Sequence, residues 1–296
     1  MQKPKQHHDS PWTILKILRW TTDYFKSHGV DSPRIAAEVL LAHVLELRRL
    51  DLYLRYDQPL LDGELRRFKE TIRRRVQREP VAYITGRAEF WSLEITVSPA
   101  VLIPRPETEC LVEAALALLP DGTPQSMFEP GTGSGVIAMA LATEKPLLNI
   151  VASDASRDAL EIAGTNIRDH GLGGRIQLRS GHWFEPLAAE PSFFDMIVSN
   201  PPYIPAGDIP RLQPEIARFE PRRALDGGPD GLAAFRHLFG AAHRHLKPGG
   251  YLLVEIGFDQ GAAVGAMADS AGHYSDVTVH QDYSGLDRVV QLRMKD

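Results

Sequence analysis

The chain has almost no cysteine: Cys110 is the single one in 296 residues. An internal disulfide is therefore impossible, a cysteine-rich zinc site is excluded and no metal centre is expected. A reducing cytoplasm is the natural setting for such a chain. Long apolar runs are also missing. No stretch approaches the ~20 consecutive apolar residues that span a bilayer, so no membrane partner is expected. The opening residues MQKPKQHHDS lack the apolar core of a secretory signal. Residues 1–10 read as a disordered tail, with His7-His8 belonging to that tail rather than to a metal site. Positive charge is in short supply too. A net charge of −5 argues against tight, sequence-independent binding to nucleic acid. Internal repeats and low-complexity segments are absent.

What is present fits an ordinary globular protein, with 43% hydrophobic and 24% charged residues. The length allows one large domain and one small one. Charge divides between them: residues 1–90 carry 17 Lys and Arg against 12 Asp and Glu, whereas residues 91–296 carry 16 against 26. Much of the positive excess lies in Arg66, Arg67, Lys69, Arg73, Arg74, Arg75 and Arg78. This cluster is either a solvated helix face or a docking surface for an acidic or RNA-associated partner.

Apolar residues at helical spacing mark residues 11–28 (Trp12, Leu15, Ile17, Leu18) and 33–47 (Ile35, Val39, Leu40, Val44, Leu47). Ser32 before Pro33 predicts an N-cap, Asp62 predicts the start of a basic helix reaching about residue 78, and Pro80 stops it. Residues 11–85 therefore read as a small N-terminal helical bundle. Residues 86–106 read as a linker hairpin, in which a strand over 90–97 pairs with Val101-Leu102-Ile103. A helix over 108–119 opens the catalytic domain, residues 107–296.

Beyond residue 125, strands at 126–129, 150–153, 175–179, 196–199 and 251–256 alternate with helices near 134–143, 156–170, 230–246 and 258–270. Such alternation predicts an α/β, Rossmann-like, mainly parallel sheet covered on both faces. Two last strands, 276–280 and 288–293, predict a closing antiparallel pair. That ending suits a class I S-adenosylmethionine methyltransferase sheet better than a simple dinucleotide-binding one.

Glu129-Pro130-Gly131-Thr132-Gly133-Ser134-Gly135 joins the first of these strands to its helix. Glycine is needed where backbone must approach a ligand closely through a tight turn. A nicotinamide cofactor uses a similar loop, but two features favour S-adenosyl-L-methionine. Glu129 stands just before the glycines, where an acid can serve a cationic amino-acid group, and the Lys-Ser/Thr of a phosphate-binding P-loop is absent. Asp154 closes the second strand, placed to accept from both ribose hydroxyls; capping of the helix near Ser156 is the alternative.

Asn200-Pro201-Pro202-Tyr203 follows the strand at 196–199, on the same sheet edge as the glycine loop. An amide –NH2 is a poor nucleophile because its lone pair is delocalised, so its nitrogen must be held in line with a transferable methyl. The Asn200 side-chain oxygen and the Pro201 carbonyl can each accept one N–H. Pro201 and Pro202 present no competing backbone donors, and carbonyl dipoles stabilise positive charge growing on nitrogen. Tyr203 is expected to offer a flat face to the planar group. The chemistry is methylation of a planar nitrogen.

The sequence resembles the release-factor glutamine methyltransferases (the PrmC/HemK family) over about residues 12–293. The resemblance rests on the tetrapeptide and on stretches in family order: residues 78–86 (REPVAYITG), Phe90-Trp91, residues 101–109 (VLIPRPETE), residues 220–225 (EPRRAL), residues 246–250 (LKPGG) and residues 285–290 (GLDRVV). It implies N5-methylation of the glutamine in the Gly-Gly-Gln motif of class 1 peptide-chain release factors. It also implies an N-terminal helical domain that helps dock that protein. Carried over by position, Gly131, Thr132, Gly133, Ser134, Gly135, Asp154, Trp183 and Asn200 contact the cofactor, and Asn200 through Tyr203 hold the glutamine. Arg105 and Glu107 fall in a family motif without an assigned role, and a salt-bridged hinge is an equal reading.

Glu129 and His182 depart from the aspartates usual in the family, which puts an acid contact to adenine at 182 in doubt. Three rival readings remain at this stage. One is a ribosomal-protein glutamine methyltransferase, a second an adenine-N6 methyltransferase of DNA or RNA, and the third a non-catalytic scaffold. The acidic second half speaks against a nucleic-acid substrate, and the intact motifs speak against a scaffold.

Overall fold

The computed structural model describes residues 11–188 and 193–296. The tail expected over residues 1–10, with His7 and His8, lies outside them. The chain divides into two compact units, Met1–Thr85 and Gly86–Asp296.

The first unit is helical: α1 (Ile14–Ser27), α2 (Pro33–Leu45), α3 (Arg49–Leu54), α4 (Asp62–Val76) and α5 (Val81–Thr85). Apolar faces of these helices enclose Ile14, Phe25, Leu40, Leu41, Leu52 and Phe68, all essentially without solvent contact. Capping differs from expectation. Ser32 takes a left-handed backbone (φ 47°) and makes no side-chain cap, so Pro33, with its fixed φ, starts α2 alone. At α4 it is Glu64, not Asp62, whose carboxylate accepts from the backbone N–H of Leu61, at 2.7 Å. The basic cluster on α4 is partly spent inside the unit. Arg74 pairs with Glu79, Arg75 is buried and donates to the Glu79 carbonyl, and Arg78 donates to the Gly29 carbonyl. Arg66, Arg67, Lys69 and Arg73 remain exposed.

The second unit opens with an antiparallel hairpin, β1 (Arg87–Phe90) and β2 (Leu93–Thr96). This corrects the expected strand over 90–97 and its pairing with 101–103. Trp91 and Ser92 both adopt positive φ (51° and 59°), a tight reversal whose usual sequence signal is Asn-Gly or Asp-Gly. The hairpin is also more than a linker. Asn166 takes the Thr96 N–H on its Oδ1 at 2.8 Å and returns its Nδ2 to the Thr96 carbonyl at 3.0 Å.

After the hairpin come α6 (Glu109–Leu118), β3 (Gln125–Pro130), α7 (Val136–Glu144), β4 (Leu148–Asp154), α8 (Arg157–Asp169), β5 (Ile176–Ser180) and β6 (Phe194–Ser199). Then follow α9 (Pro214–Phe219), α10 (Ala233–Ala242), β7 (Leu246–Glu255), α11 (Gly261–Ala271), β8 (Tyr274–Gln281) and β9 (Asp287–Met294). The sheet runs in the order β5-β4-β3-β6-β7-β9-β8. β5 to β7 are parallel, and β9 is antiparallel to both β7 and β8. The central strands are apolar on both faces because helices cover both: Met127, Phe128, Ile197, Val198, Leu252, Leu253 and Val254 are buried. Strand order reverses between β3 and β6, and the crevice at the carboxyl ends of strands at such a reversal is where an open α/β sheet binds ligands. Among the described residues, no helix is long and apolar enough to cross a membrane.

Candidate active site

A cavity of about 660 Å³ opens at that reversal, within the range of small-molecule sites. Its floor is the loop after β3. Gly131 and Gly133 hold φ of +76° and +56°, and a side chain on either would project into open space, so bare backbone faces the cavity. The loop is anchored from β4: the N–H groups of Gly131 and Thr132 both donate to the Ser153 carbonyl, at 2.8 and 2.9 Å. Gly131, Thr132, Gly133, Ser134, Asp154, Trp183, Asn200 and Pro202 all line the cavity. Gly135 does not. A Cβ there would meet the Ala163 Cβ at 3.3 Å, so this glycine serves the packing of α7 on α8.

Asp154 is oriented by backbone. Its Oδ2 accepts from Gly133 N–H at 3.0 Å and its Oδ1 from Ser156 N–H at 2.8 Å. Each oxygen keeps a second lone pair for a ligand. The helix that follows is capped by the Ser156 hydroxyl itself, which accepts from Ala159 N–H at 3.3 Å. Asp154 is therefore not the side-chain cap of α8.

Glu129 departs from its expected place. Its carboxylate does not line the cavity but lies beneath the loop with no solvent exposure. Oε2 accepts from the Thr132 hydroxyl at 2.9 Å and from Ala138 N–H at 3.2 Å, while Oε1 has no hydrogen-bond partner. Burial pushes its pKa from the ordinary 4.5 up to about 8, although both donors pull it down. A carboxyl whose pKa is raised by folding stabilises the fold below its unfolded pKa, and that contribution is lost as pH rises. From pH 4.5 toward 8, Glu129 thus subtracts stability, by at most about 1.4 kcal/mol per pH unit. Glu129→Gln is expected to flatten this part of the curve, measured as urea midpoints at pH 5, 6, 7 and 8. Parallel curves for the two proteins would contradict it.

Asn200 follows β6 and is fixed by a residue 92 positions earlier: its Nδ2 donates to the Thr108 hydroxyl at 3.2 Å. The amide oxygen Oδ1 is thereby left to accept. Pro201 and Tyr203 do not line the cavity, which corrects the expected flat face at Tyr203. The phenol instead turns inward, donates to Glu255 Oε1 at 3.3 Å and has its pKa raised, mainly by burial. The Tyr203 carbonyl accepts from Gln260 Nε2 at 3.0 Å. Gly227 and Gly231 press on the same peptide, since added Cβ atoms would lie 2.8 Å from Tyr203 C and 2.4 Å from Tyr203 O. Tyr203 is thus a strut that shapes the tetrapeptide.

Trp183 has φ 51°, a left-handed conformation that costs a bulky residue on the order of 1–3 kcal/mol and is retained where placement matters. Its ring lies 5.7 Å from that of His237, which also lines the cavity. His182 sits exposed at the rim, its N–H donating to Glu185. Arg105 lines the cavity and bonds the buried Glu220 at 2.6 Å. The ion pair in the 101–109 stretch is therefore made to residue 220, whereas Glu107 is exposed.

The sequence reading missed Thr108, Glu255, Gln260 and His237. Glu255 carried a signal, being a charged residue inside the apolar run YLLVEI of residues 251–256, which ends on the ligand edge. For Thr108, Gln260 and His237 the partners are distant in sequence and no local pattern marks them.

Comparison with known proteins gives a consistent picture. Residues 16–86 match the family model described as the PrmC N-terminal domain, and residues 109–212 match the methyltransferase small domain. The release factor glutamine methyltransferase of Geobacter sulfurreducens is 44% identical over 283 residues, covering 96% of this chain and 97% of that one. The protein of the same description from Salmonella typhimurium is 46% identical over 259 residues, covering 88% and 91%. Among solved structures, the methyltransferase of Pyrococcus furiosus aligns with a TM-score of 0.50 at 20% identity, covering 69% of this chain and 90% of that one. It shares the fold, the class I methyltransferase sheet.

Proposed function

This chain belongs to the family of release factor glutamine methyltransferases, and on that premise we propose how its cavity performs the reaction. The observation that carries the reading is Asn200, whose amide oxygen is left free to accept by the bond from Nδ2 to Thr108. S-adenosyl-L-methionine fits the residues present: bare glycine backbone at 131 and 133, Asp154 with spare lone pairs for ribose hydroxyls, and the Trp183 ring for adenine. When bound, it supplies an electrophilic methyl on a sulfonium.

The chain's own part is positioning. Asn200 Oδ1, on the cavity wall, accepts an N–H of a glutamine side chain, which fixes the nitrogen's orientation; the Pro201 carbonyl lies off that wall and takes no part. The same amide dipole stabilises the positive charge that grows on nitrogen. No strong base is needed, because the methylated nitrogen loses its extra proton to water. Glu129, enclosed below the loop, shapes the loop through Thr132 and Ala138 rather than touching the cofactor's amino group.

The protein substrate in this reading is a class 1 peptide-chain release factor, met in the cytoplasm, and the methyl goes to N5 of the glutamine in its Gly-Gly-Gln motif. The helical unit matching the PrmC N-terminal domain supports a protein partner, and the exposed Arg66, Lys69 and Arg73 supply cationic surface for it. Incubation with tritiated adenosylmethionine and, separately, release factor, ribosomal proteins and DNA tests the substrate class. Label in the release factor is expected; label confined to ribosomal protein or DNA would overturn the reading. Asp154→Ala is expected to raise the cofactor Kd by about 10- to 100-fold, the loss of charge-assisted hydrogen bonds to two hydroxyls. Calorimetric titration showing an unchanged Kd would remove Asp154 from the cofactor site.

A further inference from the structure

Adenosylmethionine carries one negative group, the α-carboxylate of its amino-acid arm, and none of the residues assigned to the cofactor so far bears the opposite charge. Four basic residues line the cavity: Arg105, Arg223, His182 and His237. The two histidines belong to the Trp183 end, their rings 5.5 and 5.7 Å from the indole. Arg223 is exposed, where water screens a charge pair and little is gained from it. Arg105 is left.

Arg105 stands at the end where the methyl is transferred. Its carbonyl accepts from the Thr108 N–H at 3.1 Å, and the Thr108 hydroxyl accepts from Asn200 Nδ2 at 3.2 Å. The amino-acid arm hangs by a short chain of carbons from the same sulfur as the transferable methyl, so its carboxylate belongs to this end. The side chain is held there by a partner 115 positions away: Nη2 donates to Glu220 Oε1 at 2.6 Å. The Glu220 side chain is 1% exposed, whereas that of Arg105 is 30% exposed and lines the cavity. A guanidinium has five N–H groups in a rigid fork, and this pair uses one of them. The others make no hydrogen bond to a described residue. A planar fork can serve two carboxylates from different edges through charge-assisted bonds. With its orientation already set by Glu220, the arginine loses less freedom when it takes up the second one.

We propose that Arg105 binds the α-carboxylate of adenosylmethionine and that Glu220 holds its guanidinium in place at the cavity wall. The inference rests on the functional reading above, which supplies the cofactor but gives this ion pair no role.

Equilibrium titration of the full chain tests it without turnover, with adenosylmethionine and with its decarboxylated analogue, which keeps adenosine, sulfonium and amine. Wild type is expected to bind adenosylmethionine about 10- to 100-fold more tightly than the analogue; equal Kd values would overturn the proposal. Arg105→Met is expected to bring the two Kd values within about threefold of each other, weakening adenosylmethionine and leaving the analogue unchanged. That substitution leaves the Glu220 charge buried and unpaired, which destabilises a fold. The Arg105→Met/Glu220→Gln variant removes both charges, has the same expected result and decides the matter if the single variant does not fold. A preference for adenosylmethionine retained in a folded variant overturns the carboxylate contact. So does an unchanged cofactor Kd with a raised KM for release factor, which would give Arg105 to the protein substrate instead. A wild type that binds neither ligand overturns the functional reading itself.

Discussion

An Asn200→Ala enzyme is expected to turn over about 100- to 1,000-fold more slowly than wild type, comparable to removing one preorganised dipole from a transition-state site. Its cofactor Kd is expected to rise by no more than about tenfold. Two effects combine. The lost acceptor leaves one substrate N–H without its partner, and the nitrogen regains rotational freedom relative to the methyl donor, so orientation is lost along with a hydrogen bond. Both penalties fall on the reacting complex, so kcat should fall much more than KM rises. Single-turnover methylation at saturating cofactor measures this directly. Turnover within threefold of wild type would mean that Asn200 Oδ1 does not position the glutamine.

Gly231→Ala is expected to cost about 2–3 kcal/mol of stability and at least a tenfold loss of kcat. Gly231 has φ +75°, and a Cβ there would sit 2.4 Å from the Tyr203 carbonyl oxygen and 2.8 Å from Gln260 Nε2. The left-handed backbone adds strain for any residue with a side chain. Relief requires the Tyr203 peptide to move away from Gln260, which breaks the 3.0 Å bond to its carbonyl and tilts Asn200. Gly173 is the control, because a Cβ there meets nothing within 4 Å and Gly173→Ala should change neither property. Thermal denaturation and kcat together measure the effect. A Gly231→Ala protein as stable and active as the Gly173→Ala one would show that the tetrapeptide is not held by close contact with this turn.

What the sequence made legible was local. The glycine loop, Asp154 and the tetrapeptide could be placed on one sheet edge because each follows a short apolar strand, and parallel strands align their carboxyl ends. The closing pair of strands was readable for the same reason. Residues with two conformational options were not. The run over 90–97 looked like one strand, since nothing in Trp91-Ser92 announces two residues at positive φ. Ser32 looked like a cap, but its backbone is left-handed and its hydroxyl does not reach the helix.

The site's chemistry was only half visible. Glu129 and Tyr203 sit next to cavity-lining residues in sequence, yet both turn away: Glu129 because alternate positions at a strand end face opposite sides, Tyr203 because Glu255 and Gln260 hold it from behind. The bond that orients Asn200 comes from Thr108, and the support behind Tyr203 comes from Glu255 and Gln260. Such partners meet only through the fold. A stretch like VLIPRPETE can be recognised as a motif without showing that its threonine, rather than its arginine or glutamates, reaches the amide.

The central claim is that this cavity holds a release-factor glutamine by its side-chain amide. Mass spectrometry of release factor incubated with the protein and adenosylmethionine, with peptides mapped across the Gly-Gly-Gln motif, tests it most directly. One added methyl, about 14 Da, is expected on the side-chain nitrogen of that glutamine, reduced to trace levels with Asn200→Ala. An unmodified motif, with the methyl found on a ribosomal-protein glutamine or on adenine in DNA, would contradict it.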